Sequence, residues 1–206
     1  IPRKFLHYFV RPTCWMYCFF AGLWLKKINH PPNKSGGPYI YMFNHVSMFD
    51  QFMIGAYIPH YITAVAAIEV FKYPIWGFII KKYGVIPIIR QKIRRAIGSL
   101  NLAEEAIKNG TSFLISPEGT RTLTGEIGPF KKGPFHLAKN TNATIVPLAL
   151  KGGFRAKKKN DWRIQPGILK IVFGEPIKSF QYKNLNIKDL QSLVLKRILE
   201  LKKESL

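Results

Sequence analysis

The chain has 206 residues, enough for one ordinary hydrophobic core, and its 47% apolar content excludes a disordered segment. Thirty-two Lys and Arg against 11 Asp and Glu give a formal charge of +21, so an anionic partner is expected: nucleic acid, anionic lipid or a small phosphorylated substrate. With only Cys14 and Cys18, a disulfide scaffold and a structural zinc site are set aside.

The chain begins at Ile1 rather than Met, and a natural N-terminal piece ahead of it is expected. Residues 14–25 read CWMYCFFAGLWL, an apolar run well short of the ~20 residues that span a bilayer as a helix. Upstream, Arg3, Lys4 and Arg11 mix with Phe5, Leu6, Tyr8 and Phe9, a basic-aromatic composition suited to a headgroup interface. Pro12 is expected to divide this segment into two short helices. Residues 1–30 are therefore read as a helical segment at a membrane interface, with Cys14 and Cys18 as small packing residues four apart on one helix face.

A Pro/Gly/Asn-rich break at 31–38 opens the second unit, 31–206. Strand-like runs are expected at 39–43, 61–67, 85–89, 112–116, 144–150 and 169–173. Helices are expected at 47–58, 74–83, 93–109, 133–140 and 187–204, with Pro74 opening the second of these and Gly110 closing the third. Strands alternating with helices define an α/β domain with a largely parallel central sheet flanked by helices. Pro147, inside an apolar strand, points to an edge or a bulge. The basic run at 155–159 falls in a loop, either a membrane or acidic-carrier patch or simply a solvated loop.

Asn44-His45-Val46-Ser47-Met48-Phe49-Asp50 places His-x4-Asp at a strand-to-helix junction. On a continuous helix the two side chains would stand about 140° apart. With Ser47 as N-cap, however, Asp50 falls at N3 and His45 lies in the preceding loop, free to fold back on the carboxylate. The same Ser-x-x-Asp is also a capping-box pattern, and taken alone it reads as a helix cap. A neutral imidazole backed by a carboxylate can take a proton from a hydroxyl, as in a serine-protease triad with the substrate's own alcohol in place of the serine. A second cluster, Ser116-Pro117-Glu118-Gly119-Thr120-Arg121, follows a hydrophobic strand, where α/β folds gather their sites. There Gly allows close backbone approach, Thr and Glu suit a polyol, and Arg suits a phosphate. Arg90 ends the run Gly84-Val85-Ile86-Pro87-Ile88-Ile89, and Ile145-Val146-Pro147-Leu148 follows later.

In order and chemistry these four blocks resemble those of the glycerolipid acyltransferase family, across residues 39–150. Asn44–Asp50 resembles its NHxxxxD block, the run ending at Arg90 its second, 116–121 its FPEGTRS-like third, and Val146-Pro147 its fourth. Phe130-Lys131-Lys132-Gly133-Pro134-Phe135 is similar to the FKKGAF stretch of lysophosphatidic acid acyltransferases. Departures are Ser116 for a Phe, Thr122 for a Ser, and Pro87 where a Phe is common.

The resemblance implies an enzyme that acylates the sn-2 hydroxyl of lysophosphatidic acid from acyl-CoA or acyl-carrier protein, giving phosphatidic acid. His45 would be the base and Asp50 its orienter. Arg90, Glu118, Gly119, Thr120 and Arg121 would bind the glycerol-phosphate head, with Asn44, Ser47 and Lys131 in support. No metal or cofactor is called for, and no acyl-enzyme, because no Ser or Cys sits in a nucleophile motif. The acceptor's tail keeps it in the bilayer, so the implied setting is an anionic membrane surface on the cytoplasmic face, reached peripherally or monotopically. Glycerol-3-phosphate or another lysophospholipid is the rival acceptor. Nucleic-acid binding is disfavoured, since no zinc-finger spacing or RNP-like motif occurs and the basic residues are scattered.

Overall fold

The computed structural model describes residues 3–89 and 93–204. Its first helix, α1 (Arg3–Phe20), continues through Pro12 instead of dividing there. Pro12 cannot donate to the Tyr8 carbonyl one turn back, but Tyr8 is exposed, so solvent can reach the freed carbonyl; the Thr13 hydroxyl separately donates to the Phe9 and Val10 carbonyls (2.7 and 2.8 Å). At 18 residues α1 is about 27 Å long. No helix among the described residues is long and apolar enough to cross a membrane.

Gly22, at φ +71°, ends the helical path, and Leu23–Ile28 forms strand β1. This corrects the reading of residues 1–30 as wholly helical. Leu23 and Leu25 alternate inward with Trp24 outward, a period-two pattern concealed within an uninterrupted apolar run.

The remaining elements follow in order: β2 (Tyr39–Phe43), α2 (Asp50–Tyr57), β3 (Ile62–Ala67), α3 (Pro74–Tyr83), β4 (Ile86–Ile88), α4 (Ile93–Lys108), β5 (Ser112–Ile115), α5 (Gly133–Thr141), β6 (Thr144–Lys151), α6 (Gly153–Ala156), β7 (Gly167–Phe173), α7 (Ser179–Tyr182) and α8 (Ile187–Lys203). Helix α3 has its expected bounds because Pro74 suits the first turn and Gly84 takes the left-handed conformation (φ +96°) after the last. The two short helices α6 and α7 carry too few residues for a periodic signal.

The seven strands form one sheet in the order β1-β7-β6-β2-β5-β3-β4. Strands β2 to β6 run parallel, while β7 is antiparallel to β6 and β1 is parallel to β7. Strands β1 and β7 therefore start at the sheet edge where the other five end. Pro147 lies in a central strand, beside a bulge. From Leu148 back to Ile145 β6 takes three steps, while its partner takes four from Phe173 to Ile177.

Alternation splits the core between the two sheet faces. Tyr39, Tyr41 and Phe43 of β2 pack with Val146, Leu148 and Leu169 beneath α1 and α2. Ile40 and Met42 face the other way, toward α4, α5 and the Leu190/Val194/Ile198/Leu201 stripe of α8. Cys14 and Cys18 lie buried and unbridged in the first of these cores. The Cys14 Sγ occupies the space that a Cβ on Gly55 of α2 would fill, 3.0 Å away.

Candidate active site

Strand β2 delivers Asn44 and His45 to the carboxyl edge of the sheet. Asn44 is wholly buried; its amide donates to the Leu150 carbonyl (3.0 Å) and accepts from the Leu150 N–H (2.8 Å), so the end of β2 is clamped to β6. The next residue leaves the sheet with its direction already set.

The His45 Nδ1 stands 2.7 Å from Asp50 Oδ2. A carboxylate oxygen can only accept, so the proton sits on Nδ1 and the Nε2 lone pair is left available. The same Oδ2 accepts from the N–H groups of Val46 (2.8 Å) and Ser47 (2.9 Å). Three donors on one oxygen hold a side chain with 0% exposure, while the imidazole above it keeps 21%. The cap reading and the dyad reading thus both hold in part. Asp50 closes the backbone before α2 and also orients the histidine, but the Ser47 hydroxyl does not complete a capping box. It donates instead to the Lys157 carbonyl (3.1 Å), and α2 begins at Asp50, later than the expected residue 47.

Asp50 Oδ1 is buried and accepts no hydrogen bond among the described residues. Gly153 lies over it: a Cβ there would fall 3.3 Å from Oδ1 and 3.0 Å from both Ser47 Cβ and Val46 Cγ2. Sequence reading missed Gly153. Its signal was the Gly152-Gly153 pair directly after β6, and Gly152 has its own constraint at φ +83°, where a Cβ would lie 2.2 Å from the Ile168 carbonyl oxygen.

Glu118 turns inward. Its Oε1 accepts from the His45 N–H (2.7 Å) and its Oε2 from the Gly128 N–H (2.8 Å), so both oxygens are engaged with backbone. Burial raises its pKa above the ordinary carboxyl value, and the two backbone donors partly oppose that shift. The 116–132 loop is built around this carboxylate. Thr122 N–H donates to the His45 carbonyl (2.9 Å), and Lys131 N–H closes the loop on the Pro117 carbonyl (2.8 Å). The Thr122 hydroxyl accepts from the Thr124 and Gly125 amides, a turn role that the family's usual Ser could also fill. Ser116 Oγ, where a Phe is usual, is buried without a partner among the described residues.

On the open side, Gly119 sits at φ +70°, leaving its Cβ direction to the stem of Lys131. Arg121 is half-buried and Lys131 exposed, and neither is paired with a carboxylate among the described residues. Thr120 accepts from Lys159 Nζ (3.1 Å), which brings the 155–159 basic run up against the block that carries Arg121. Arg90 lies outside the described residues.

An α/β domain that presents a carboxylate-backed histidine beside unpaired cations, at the carboxyl edge of its sheet, is equipped for general-base chemistry on an anionic substrate. The chain belongs to the Acyltransferase family, whose model matches residues 26–151. It is 37% identical over 141 residues to the 1-acyl-sn-glycerol-3-phosphate acyltransferase of Cocos nucifera, covering 68% of this chain and 46% of that one. A probable 1-acyl-sn-glycerol-3-phosphate acyltransferase of Mycoplasma pneumoniae is 27% identical over 197 residues, covering 89% and 73%. The chain spans about half the length of the first plant relatives it matches. The crystal structure of the 1-acyl-sn-glycerophosphate acyltransferase PlsC from Thermotoga maritima shares the fold, with TM-score 0.84 over 98% of this chain and 81% of that one, at 22% identity.

Proposed function

We propose that this chain transfers a fatty acyl group from the thioester of acyl-CoA or acyl-carrier protein to the sn-2 hydroxyl of lysophosphatidic acid. The observation that carries the reading is the 2.7 Å contact between His45 Nδ1 and Asp50, which leaves Nε2 free at the mouth of the site. The acceptor hydroxyl gives its proton to Nε2 as its oxygen bonds to the thioester carbonyl carbon. Asp50 stabilises the imidazolium that forms. The tetrahedral intermediate then breaks its C–S bond, and the Nε2 proton goes to the departing sulfur, giving phosphatidic acid and free thiol. No acyl-enzyme intervenes, since the thioester is already activated, and no metal or cofactor is required.

Arg121 and Lys131, with Arg90, bind the acceptor phosphate, and Thr120 and Gly119 shape the loop that receives the glycerol. Glu118 is assigned to positioning, because both of its oxygens already hold backbone. The relatives' printed activity supports the choice of acceptor. The acceptor's chain, at ~0.8 kcal/mol per buried methylene, keeps it in the bilayer, so the enzyme works on an anionic membrane at the cytoplasmic face, where its thioester donors are soluble. The test is thiol release with lysophosphatidic acid, glycerol-3-phosphate and lysophosphatidylcholine, each with both donors. Lysophosphatidic acid should give the highest kcat/KM, and a higher value for either of the others overturns the assignment.

A further inference from the structure

Large apolar side chains stand in water on both elements that start at the catalytic edge of the sheet. Trp24 of β1 and Ile168 of β7 are register neighbours, and both are exposed on the same side. Phe19, at the end of α1, sets its ring edge-on to Trp24 at 5.4 Å, and Phe20 continues the row. The loop entering β7 adds Ile164 and Trp162, the latter at 87% exposure, more than any other large apolar residue described.

This loop is secured at its base and free at its tip. Gly167 N–H donates to the Gly22 carbonyl (3.1 Å), Pro166 packs on Gly22, and Gln165 N–H donates to the Ala156 carbonyl (2.9 Å). Its other flank is fastened to the catalytic loops by Ser47 on the Lys157 carbonyl, Lys159 on Thr120, and Phe154 under Gly125. Arg163 folds bidentately onto Asp161 (2.9–3.2 Å), which tightens the turn that carries Trp162 between them. Over residues 155–163 the sequence carries five cations, Arg155, Lys157, Lys158, Lys159 and Arg163, against the single acid Asp161. A tryptophan held out on a basic loop matches the headgroup layer of an anionic bilayer, where its ring is buried at the interface while lysines meet lipid phosphates.

We propose that residues 157–166 form a second membrane-contacting element, separate from the body of α1. It inserts Trp162 and Ile164 into the interface of an anionic phospholipid bilayer. Because the loop is fastened to Ser47 and Thr120, docking it sets the His45 mouth directly against the lipid surface from which the acceptor arrives. The inference rests on the reading of this chain as an acyltransferase that works at a membrane.

The test labels position 162 through W162C with an environment-sensitive fluorophore. Burial pushes the native Cys14 and Cys18 thiols up to about 12 and about 11, so the introduced thiol is the one that reacts. L199C, on the exposed side of α8, serves as control. With vesicles of mixed phosphatidylcholine and phosphatidylglycerol, the label at 162 should shift to the blue and be quenched by brominated lipid, and the label at 199 should not. In the otherwise native chain, W162A with I164A should weaken vesicle co-sedimentation about tenfold or more, with unchanged turnover of a short-chain, water-soluble acceptor. If the protein co-sediments while the label at 162 stays unshifted, the loop is not an anchor and the membrane reading survives. If the label responds to acyl-carrier protein and not to vesicles, the patch is a carrier site and the proposal is overturned. Absence of any vesicle binding overturns both.

Discussion

The two halves of the site are built on opposite terms. On the closed half, Asn44, Ser47, Asp50 and Glu118 are buried, and their side chains hold backbone groups from β6, the 155–159 run and the 116–132 loop. On the open half, Thr120 and Lys131 are exposed and Arg121 half-exposed, and the cations have no carboxylate partner among the described residues. A general base of the kind proposed must be aimed within a fraction of an ångström, and the three donors on the buried Asp50 Oδ2 provide that aim. The phosphate clamp proposed for the open half needs charge and reach, which long side chains on a secured loop can provide without a fixed pose. The closed half should therefore respond to substitution in kcat and the open half in KM.

On the closed half a large effect is expected from Gly153→Ala, although Gly153 is assigned no contact with substrate. The added methyl meets Ser47, Val46 and Asp50 at 3.0–3.3 Å, on the strand-to-helix turn that sets the dyad. Stability should fall by about 1–3 kcal/mol through overpacking. At a temperature where the variant is fully folded, kcat should fall roughly 10–100-fold with KM little changed. Steady-state kinetics beside urea unfolding checks both, and a pure KM effect would mean that Gly153 lines the acceptor pocket.

Arg121→Ala should show the opposite split. Loss of a charge-assisted phosphate contact, about 1.5–3 kcal/mol, raises KM for lysophosphatidic acid roughly tenfold or more and leaves kcat nearly intact. A neutral monoacylglycerol acceptor should show no such rise. Equal effects on both acceptors would remove Arg121 from the phosphate site.

The interior near β2 should respond only through stability. Burial lowers the His60 pKa to about 4 from its ordinary 6.5, with the charges of His7 and Lys34 adding to the shift, and its Nε2 lies 3.3 Å from the Tyr41 hydroxyl. A folded-state value below the unfolded one means that the contribution is complete above pH 6.5 and is lost as pH falls toward 4, by about 3 kcal/mol. His7, also lowered by burial, acts in the same direction, while the raised Glu118 acts in the opposite one. Urea midpoints of the native chain and His60→Phe across this range isolate the His60 share. Parallel pH profiles would show that His60 does not titrate with folding.

Local signals made much of this molecule legible in the sequence. Pro74 opened α3, and a short apolar, aromatic-rich run behind a Pro/Gly-rich break marked β2, because both effects act within a few residues. Strand β1 was hidden because its alternation lay inside an apolar run, and the φ +71° of Gly22 shows only in the backbone. Pro12 misled because the carbonyl it leaves without a helical donor belongs to the exposed Tyr8, where solvent can take the place of the missing N–H. At the site, the spacing of His45 and Asp50 allowed their contact, and the turn between them made it. The inward turn of Glu118 could not be read locally, since it depends on His45 and Gly128 converging from separate segments. The same holds for Gly153 and Lys159, which reach the site only through the end of β6 and the loop after it.

The central claim is that His45 is the base, and His45→Ala tests it most directly. The imidazole is partly exposed and its backbone is held independently by Glu118 and Thr122, so the variant should unfold at a urea midpoint close to that of the native chain. Thiol release from acyl-CoA in the presence of lysophosphatidic acid should then fall by roughly 10²–10⁴. Undiminished thiol release from an equally stable variant would contradict the account.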